Sequence, residues 1–282
     1  MVLDSHQHFW KYDPERDAWI DDSMSRIRRD FLPTDLAPVL QDNGVNGCVA
    51  VQADQSEEET EFLLGIAMEN VMVKGVVGWV DLLAKNVGER LAQYAQNPYF
   101  KGVRHIVQAE SDDFMLRGDF QQGIAQLSQL GLTYDILVFP SQLAAAVELV
   151  QKFPYQPFVV DHMAKPYIKS GEIEGWKKDI TTLAQYENVY CKISGMVTEA
   201  DWGKWEPGNF LPYLDTVVEA FGVQRVMYGS DWPVCLLAAE YREQLQLISS
   251  YVTSFSQSER KAVMGENAKE FYNIKENGRD YE

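Results

Sequence analysis

The sequence predicts a single α/β domain, a (β/α)8 TIM barrel with a helical C-terminal end. Apolar, β-branched runs alternate with helical patterns from end to end, and eight such pairs fit into the 282 residues. Most strand candidates, such as residues 48–51, are apolar without interruption, which is typical of parallel strands buried on both faces. A doubly wound open sheet is the alternative, but Ser5-His6-Gln7-His8 is not the glycine-rich first turn that it would need.

Cap and turn residues set the expected boundaries of the elements. Ser56 is a good N-cap for the second helix, and Gly44, Gly131 and Gly222 follow the ends of three others. The predicted strands are residues 2–8, 47–53, 73–82, 102–108, 133–139, 158–162, 189–194 and 225–231. The predicted helices are residues 35–43, 57–70, 87–96, 119–130, 141–153, 175–186, 210–221, 238–254 and 258–272.

No linker, low-complexity tract or internal repeat divides the chain. We therefore expect one domain over residues 1–274, followed by a polar tail at 275–282. Residues 11–33 are rich in Asp, Arg and aromatic residues and are too long for an ordinary loop after a barrel strand. We expect this segment to form a lid or the wall of a pocket.

The composition limits the classes of partner. The chain has 25 Lys and Arg against 42 Asp and Glu, and a net charge of −17 repels nucleic acid and anionic membranes. A small molecule or a protein partner is expected instead. No apolar stretch is long enough for a bilayer and no signal-peptide pattern opens the chain, so we expect a cytoplasmic protein. Cys48, Cys191 and Cys235 lie far apart in apolar runs and are expected to be buried free thiols.

All four histidines lie on or at the end of predicted strands, where the chemistry of a barrel gathers. His6 and His8 are two residues apart on the first strand, so both imidazoles point to the same face. Such a pair can ligate a metal or polarise a substrate, and a merely polar strand face is the alternative. His162 ends the sixth strand and is expected at the mouth of the barrel, with a core histidine as the alternative.

Charged side chains at other strand ends complete the candidate site. Of the neighbours Arg104 and His105 only one can point inward, and we expect this to be Arg104, as a substrate anchor. An inward Lys192 would need a partner, either Asp231 or a substrate oxygen. Asp231 precedes a Trp-Pro turn and is expected to be the general base for water, with a turn cap as the alternative.

Several tryptophans lie just beyond predicted strand ends: Trp10, Trp202, Trp205 and Trp232. Most tryptophans fill cores, and any of these can do so. On one rim of a barrel they would instead form stacking walls for a ring-shaped substrate.

Six motifs together resemble the amidohydrolase superfamily, in its branch of sugar lactonases related to the pyrone-dicarboxylate lactonase. They are residues 4–10 (DSHQHFW), 101–105 (KGVRH), 160–166 (VDHMAKP), 192–202 (KISGMVTEADW), 228–233 (YGSDWP) and 265–268 (GENA). The resemblance extends from residue 2 to about residue 274. It implies a barrel fold, an active site at the mouth of the barrel and hydrolysis of a cyclic ester.

The resemblance also implies roles for single residues. Asp231 would activate water, while His162, His6 and His8 would polarise the carbonyl, either directly or through a metal. The implied substrate-binding residues are Arg104, Lys165, Lys192, Trp10 and Trp202.

The resemblance leaves the metal content open. Metal-rich relatives carry a histidine on the fifth strand and a bridging lysine or glutamate on the fourth, whereas the fifth strand here offers Asp135 and no histidine. A two-metal centre is therefore not expected. One Zn²⁺ on His6, His8 and Asp231, with or without His162, and catalysis without any cofactor both stay open.

The implied substrate is a small-molecule lactone, and the aldonolactone of a deoxy sugar, such as L-fucono- or L-rhamnonolactone, is the first choice. A pyrone dicarboxylate would call for an arginine cluster, and the sequence offers Arg104 with lysines. Amide hydrolysis or decarboxylation at one metal stays open as a second activity, and a binding barrel without catalysis stays open as a third function. The sequence does not decide between a monomer and a homo-oligomer.

Overall fold

Eight parallel strands pair in chain order in the computed structural model, which describes residues 1–275. The strands are Leu3–Gln7 (β1), Gly47–Val51 (β2), Val73–Gly78 (β3), Phe100–His105 (β4), Thr133–Ile136 (β5), Phe158–Val160 (β6), Val189–Ile193 (β7) and Val226–Tyr228 (β8). The ring closes beyond β8, where His8 N donates to Trp232 O at 2.7 Å and Asp231 N donates to His6 O at 2.8 Å. The predicted (β/α)8 barrel is confirmed.

Helices alternate with the strands and cover the outside of the barrel. They are Pro33–Asp42 (α1), Glu57–Glu69 (α2), Val87–Tyr94 (α3), Gly118–Leu127 (α4), Leu143–Lys152 (α5), Glu174–Leu183 (α6), Leu211–Phe221 (α7), Tyr241–Tyr251 (α8), Gln257–Lys261 (α9) and Asn267–Phe271 (α10). Each barrel helix turns an apolar stripe inward, as Trp176, Ile180 and Leu183 do in α6. Ser56 caps α2 as predicted, because its side chain accepts from Glu59 N.

Some strands end earlier than the apolar pattern predicts. The pattern predicts a third strand that reaches residue 82, but this strand ends at Gly78, and the sixth ends at Val160. Beyond Val160, residues Asp161–Ala164 form a tight turn over the mouth of the barrel. The chain leaves the sheet there because its polar side chains bond across the barrel.

The C-terminal helices are also more broken than predicted. A π-helical turn at Ala262–Glu266 separates α9 from α10. Gly265 lies in this turn, and a Cβ there would be 2.6 Å from Met1 O, so the close approach to the first residues requires glycine.

The inside of the barrel is a packed core rather than a pore. Val49, Val51 and Met227 face inward and contact the end of α10, which closes the bottom of the barrel with Phe271 and Tyr272. The amino end of the barrel is therefore filled, and the carboxyl end is left for a site. The three cysteines are buried and free, as predicted.

Residues 11–33 are tied to the end of β1. Trp10 and Phe31 exchange two backbone hydrogen bonds, of 3.0 and 2.9 Å, and their ring centroids are 5.5 Å apart. The segment contains one short 3₁₀ helix, Asp22–Ile27. Trp10 and Trp19 line the cavity at the mouth of the barrel, so the segment forms a wall of that cavity.

Of the predicted polar tail, Lys275 alone belongs to the described residues. Within residues 1–275, every helix is too short or too polar to cross a membrane.

Asn267 joins α10 to the segment before β8. Its buried Nδ2 donates to Val223 O and Val226 O, both at 2.7 Å. Asn267→Ala removes this donor from the buried Val226 carbonyl and the half-buried Val223 carbonyl, so we expect the free energy of unfolding in urea to fall by about 2 kcal/mol. The control Asn70→Ala removes one half-buried hydrogen bond to Ile66 O and should lower the free energy of unfolding by less. An Asn267→Ala protein as stable as the wild type would contradict this account.

Candidate active site

Four polar side chains converge at the carboxyl end of the barrel. His8 Nε2 lies 3.2 Å from His6 Nε2 and 3.3 Å from Asp231 Oδ1. His162 Nε2 lies 3.8 Å from the same Asp231 oxygen. All four side chains are buried, so three imidazoles and one carboxylate form a single cluster. The structure therefore brings together the four residues that the sequence predicts to be catalytic.

Left-handed backbone places two members of this cluster. Asp231 has a φ of 58°, and His162 begins a turn of four non-glycine residues, through Lys165, with φ between 49° and 58°. Each such residue costs about 1 kcal/mol relative to a right-handed one. Strain of this kind is typical of functional sites, where the surrounding structure imposes it. The turn brings both His162 and Lys165 to the cavity wall.

Gly195 leaves room for this arrangement. Its φ is 62°, and a Cβ there would lie 2.6 Å from His162 Nδ1 and 3.2 Å from Asp231 Oδ2. Any side chain at this position would push the imidazole out of the cluster, so glycine is required.

Hydrogen bonds orient the imidazoles. His8 Nδ1 donates to Val51 O at 2.7 Å, because a carbonyl only accepts, and Nε2 therefore offers a lone pair to the cluster. His162 Nδ1 lies 2.8 Å from Ser194 Oγ. Burial lowers the pKa of His162 and of His6 well below the usual value, so both rings are neutral.

A buried ion network lies beneath His6. Lys192 Nζ donates to Asp135 Oδ2 at 2.6 Å and lies 3.0 Å from Asp161 Oδ1 and 3.1 Å from His6 Nδ1. Tyr272 from the end of α10 also donates to Asp135 Oδ2, at 2.8 Å. Lys192 has no exposed side-chain surface and does not line the cavity. Its partners are Asp135 and Asp161 rather than Asp231, and its contact with substrate stays a prediction.

The charges of this network set the protonation of its two carboxyl groups. Burial alone would raise the pKa of Asp161, but the adjacent Lys192, His6 and Arg104 hold it well below the usual range. Burial raises the pKa of Asp135 to about 6, although Lys192 opposes the rise. Asp161 is therefore the ionised carboxylate of the network, and its Oδ1 lies 3.2 Å from His6 Nδ1.

Strand alternation separates Arg104 from His105, as expected. Arg104 points inward: its Nη1 lies 3.1 Å from Asp161 Oδ2 and 3.3 Å from His6 Nε2, and its Nη2 bonds to Gln52. His105 points outward, where Nε2 lies 3.1 Å from Glu110 and the ring stacks on Phe114. His105 therefore takes no part in the cluster.

A cavity of about 340 Å³ opens above the cluster. Its polar wall includes His8, Arg104, His162, Lys165 and Asp231. Apolar side chains supply much of the remaining wall: Trp10, Trp19, Ala53, Ile106, Ala109, Leu137 and Val234. A cavity with a few convergent polar groups and largely apolar walls suits a small molecule.

Lys165 is held at the rim by Glu199, with Nζ 3.5 Å from Oε1. Burial raises the pKa of Glu199, although Lys165 opposes the rise. Sequence reasoning assigns no role to Glu199, Asp161 or Asp135. Glu199 and Asp161 stand within the motifs quoted and Asp135 lies on β5, but their partners come from other strands, so the sequence carries no signal for the pairing.

The four tryptophans at the predicted strand ends lie in different places, and the indole of Trp205 donates to Ala238 O at 2.9 Å. Trp10 lines the cavity as expected, and Trp19 joins it. Trp202 lies in a separate surface groove, where its indole donates to Thr198 O at 2.9 Å, and its substrate contact stays a prediction. Trp232 is buried against Phe31 and belongs to the core.

The donor set His6, His8 and Asp231 fits a metal ion. His6 Nε2, His8 Nε2 and Asp231 Oδ1 lie 3.2, 3.3 and 3.9 Å from one another. Tetrahedral Zn²⁺ with bonds of about 2.1 Å separates its ligands by about 3.4 Å. A second group of His6, Asp161 and His162 is also close, but Lys192 and Arg104 already neutralise Asp161.

Lys192→Met tests the structural role of the network. The change leaves Asp135 and Asp161 facing each other without their shared cation, so we expect the free energy of unfolding to fall by about 3 kcal/mol or more. The double variant Lys192→Met/Asp135→Asn should recover part of this loss. Lys204→Met removes an exposed lysine paired at 3.5 Å and should change stability by less than about 1 kcal/mol. Equal stability of the two lysine variants in urea would refute the role.

Comparison with known proteins agrees with the resemblance of the six motifs. A family model described as amidohydrolase matches residues 3–274. An L-fucono-1,5-lactonase of Burkholderia multivorans is 37% identical over 98% of this chain and 97% of its own length, and one of Burkholderia ambifaria is 36% identical over 96% and 95%. A solved amidohydrolase structure from Burkholderia multivorans, with bound zinc, superposes with a TM-score of 0.92 at 37% identity and covers 98% of this chain and 100% of its own. The chain belongs to the amidohydrolase family.

Proposed function

We propose that this amidohydrolase hydrolyses a sugar-acid lactone, with L-fucono-1,5-lactone or a related 6-deoxy aldonolactone as substrate. The observation that carries the proposal is the cluster of His6, His8, His162 and Asp231 at the floor of a cavity sized for one small ring. Relatives named L-fucono-1,5-lactonase match nearly the whole chain, which supports the same substrate class.

Asp231 is the proposed general base. Burial alone would raise its pKa, but His162 and His8 hold it below the usual value, so the carboxylate is ionised at neutral pH. An ionised carboxylate at the cavity floor can accept a proton from water as the water attacks the lactone carbonyl. The same proton is then available to the ring oxygen when the ester bond breaks, which yields the open hydroxy acid.

His162 is proposed to stabilise the carbonyl oxygen. When the Ser194 hydroxyl donates to Nδ1, the single proton of the neutral ring sits on Nε2 and points to the cavity. A donor placed where negative charge develops commonly contributes about 3 kcal/mol to the barrier. Arg104 and Lys165 would hold hydroxyls or the new carboxylate, and Trp10 offers a flat wall to the ring.

His6, His8 and Asp231 are the residues that would hold a divalent metal such as Zn²⁺. When bound, such an ion supplies a Lewis acid that polarises a carbonyl and acidifies water. We propose one such ion for this enzyme, since the spacing of the three donor atoms suits it and the similar Burkholderia multivorans structure contains zinc.

A sugar lactone suits the cavity better than a pyrone dicarboxylate. Among the described residues that line it, the cations are Arg104 and Lys165. Arg104 is already paired with Asp161, and Lys165 with Glu199. Two further carboxylates would therefore lack free cations, whereas hydroxyl groups need none.

The remaining partner and location assignments stay predictions from composition. They are a cytoplasmic location, no nucleic-acid or membrane partner, and either a monomer or a homo-oligomer.

A pH-indicator assay with aldonolactones, corrected for spontaneous opening, tests the function. The wild type should open L-fucono-1,5-lactone, and Asp231→Asn should lose at least about a hundredfold in kcat, because the base is gone. Asp201→Asn is the matched control, since Asp201 lies in the surface groove beside Trp202 and should leave the rate unchanged. Native turnover by Asp231→Asn would exclude it as the base.

Metal analysis tests the proposed ligand set. The purified wild type should retain about one zinc per chain and lose activity on dialysis against a chelator. His8→Asn should retain far less zinc, because one of three ligands is removed, while His105→Asn should retain as much as the wild type. Full activity of a zinc-free wild type would rule out a required metal.

A further inference from the structure

Gln108 carries an unpaired carboxamide in the wall of the cavity. It lies just beyond β4 and lines the cavity, and its Oε1 is buried without a hydrogen-bond partner. Within residues 1–275, the other buried unpaired side-chain atom among the cavity-lining residues is Arg104 Nε, and the Nη atoms of that arginine are bonded. Buried polar atoms normally have partners, so this unpaired oxygen beside the cavity calls for an explanation, and a bound ligand can supply the missing hydrogen bond.

The backbone around Gln108 is firmly held, so a loose loop does not explain the unpaired side chain. Gln108 N donates to Leu137 O at 3.1 Å, and Ile106 N donates to Gln55 Oε1 at 2.7 Å. Gln142 Nε2 donates to Val107 O at 2.8 Å. The carboxamide is therefore presented from a rigid wall, as a recognition group needs to be.

The position of Gln108 decides which part of a substrate it meets. In a barrel whose eight strands pair in chain order, the β4–β5 side is opposite the β8–β1 side that carries Asp231 and His8. A lactone that has its carbonyl at Asp231 would turn its remote ring carbons, C3 and C4, toward this opposite side. The neighbours Ile106 and Leu137 are apolar, so they cannot bond to a hydroxyl there.

We propose that Gln108 is a specificity-determining residue that hydrogen-bonds the C3 or C4 hydroxyl of an aldonolactone. A hydroxyl both donates and accepts, so it can pair with either edge of the carboxamide. Beside the apolar Ile106 and Leu137, Gln108 would supply this hydroxyl with a hydrogen-bond partner. The inference rests on the proposed lactone hydrolysis and adds Gln108 as the residue that distinguishes one sugar lactone from another.

The test compares Gln108→Leu, which keeps the shape and removes the bond, with Gln108→Glu, which keeps an acceptor. The substrates are L-fucono-1,5-lactone and its 3-deoxy and 4-deoxy counterparts. The wild type should prefer the parent lactone over one deoxy lactone, and Gln108→Leu should lose about ten- to a hundredfold in kcat/KM on the parent alone. Gln108→Glu should restore part of the preference, and Gln129→Leu, an exposed matched change, should behave as the wild type.

Thermal unfolding separates recognition from a structural role. Because the Oε1 atom has no partner in the free protein, Gln108→Leu should unfold at the same temperature as the wild type or a higher one. A lower unfolding temperature together with equal losses on all lactones would overturn the proposal, as would an unchanged preference in Gln108→Leu.

Failure of the proposed function would give a different result. A wild type that opens none of the lactones refutes lactone hydrolysis, and calorimetric titration with L-fuconate and 3- and 4-deoxy-L-fuconate then decides the role of Gln108. Tighter binding of L-fuconate than of one deoxy acid in the wild type, lost in Gln108→Leu, supports it. Identical titrations of the two proteins refute it.

Discussion

The buried ion network below the cavity is the constraint on which the site depends. Lys192 and Arg104 bring two positive charges into the barrel, and Asp135 and Asp161 bring two negative ones, all with almost no exposed surface. A buried charge that loses its partner is strongly destabilising, so these side chains must meet. The strands that carry them are thereby held in one arrangement, and His6 is oriented from below by Asp161 and Lys192.

The positive and negative charges of the network balance one another. The uncompensated negative charge of the site is therefore that of the Asp231 carboxylate. Its carboxylate faces three imidazoles, and within the described part of the chain no lysine or arginine lies within ion-pair distance of it. An ionised carboxylate in this position attracts a proton donor or a cation. The lower half of the site thus sets the charges and tautomers, while Lys165, held by Glu199, and Trp19 line the cavity above it.

The sequence analysis succeeds where a local rule applies. Uninterrupted apolar runs indicate the eight strands, and the alternation of side chains along a strand places Arg104 inward and His105 outward. It fails where a partner has to come from another strand. The sequence offers Asp231 or a substrate oxygen as the partner of Lys192, whereas the structure pairs this lysine with Asp135 and Asp161.

By itself the sequence determined the barrel, its order of elements, and the face on which His6 and His8 stand, because these follow from the period of side chains along a strand. Only the tertiary structure decided which groups are neighbours across the barrel. It showed that Asp161 supports His6, that Gly195 makes room for His162, and that Gln108 Oε1 is left unpaired. The physical reason is that hydrogen bonds and ion pairs act over about 3 Å, and the closing of the ring alone brings residues from distant parts of the chain within that range.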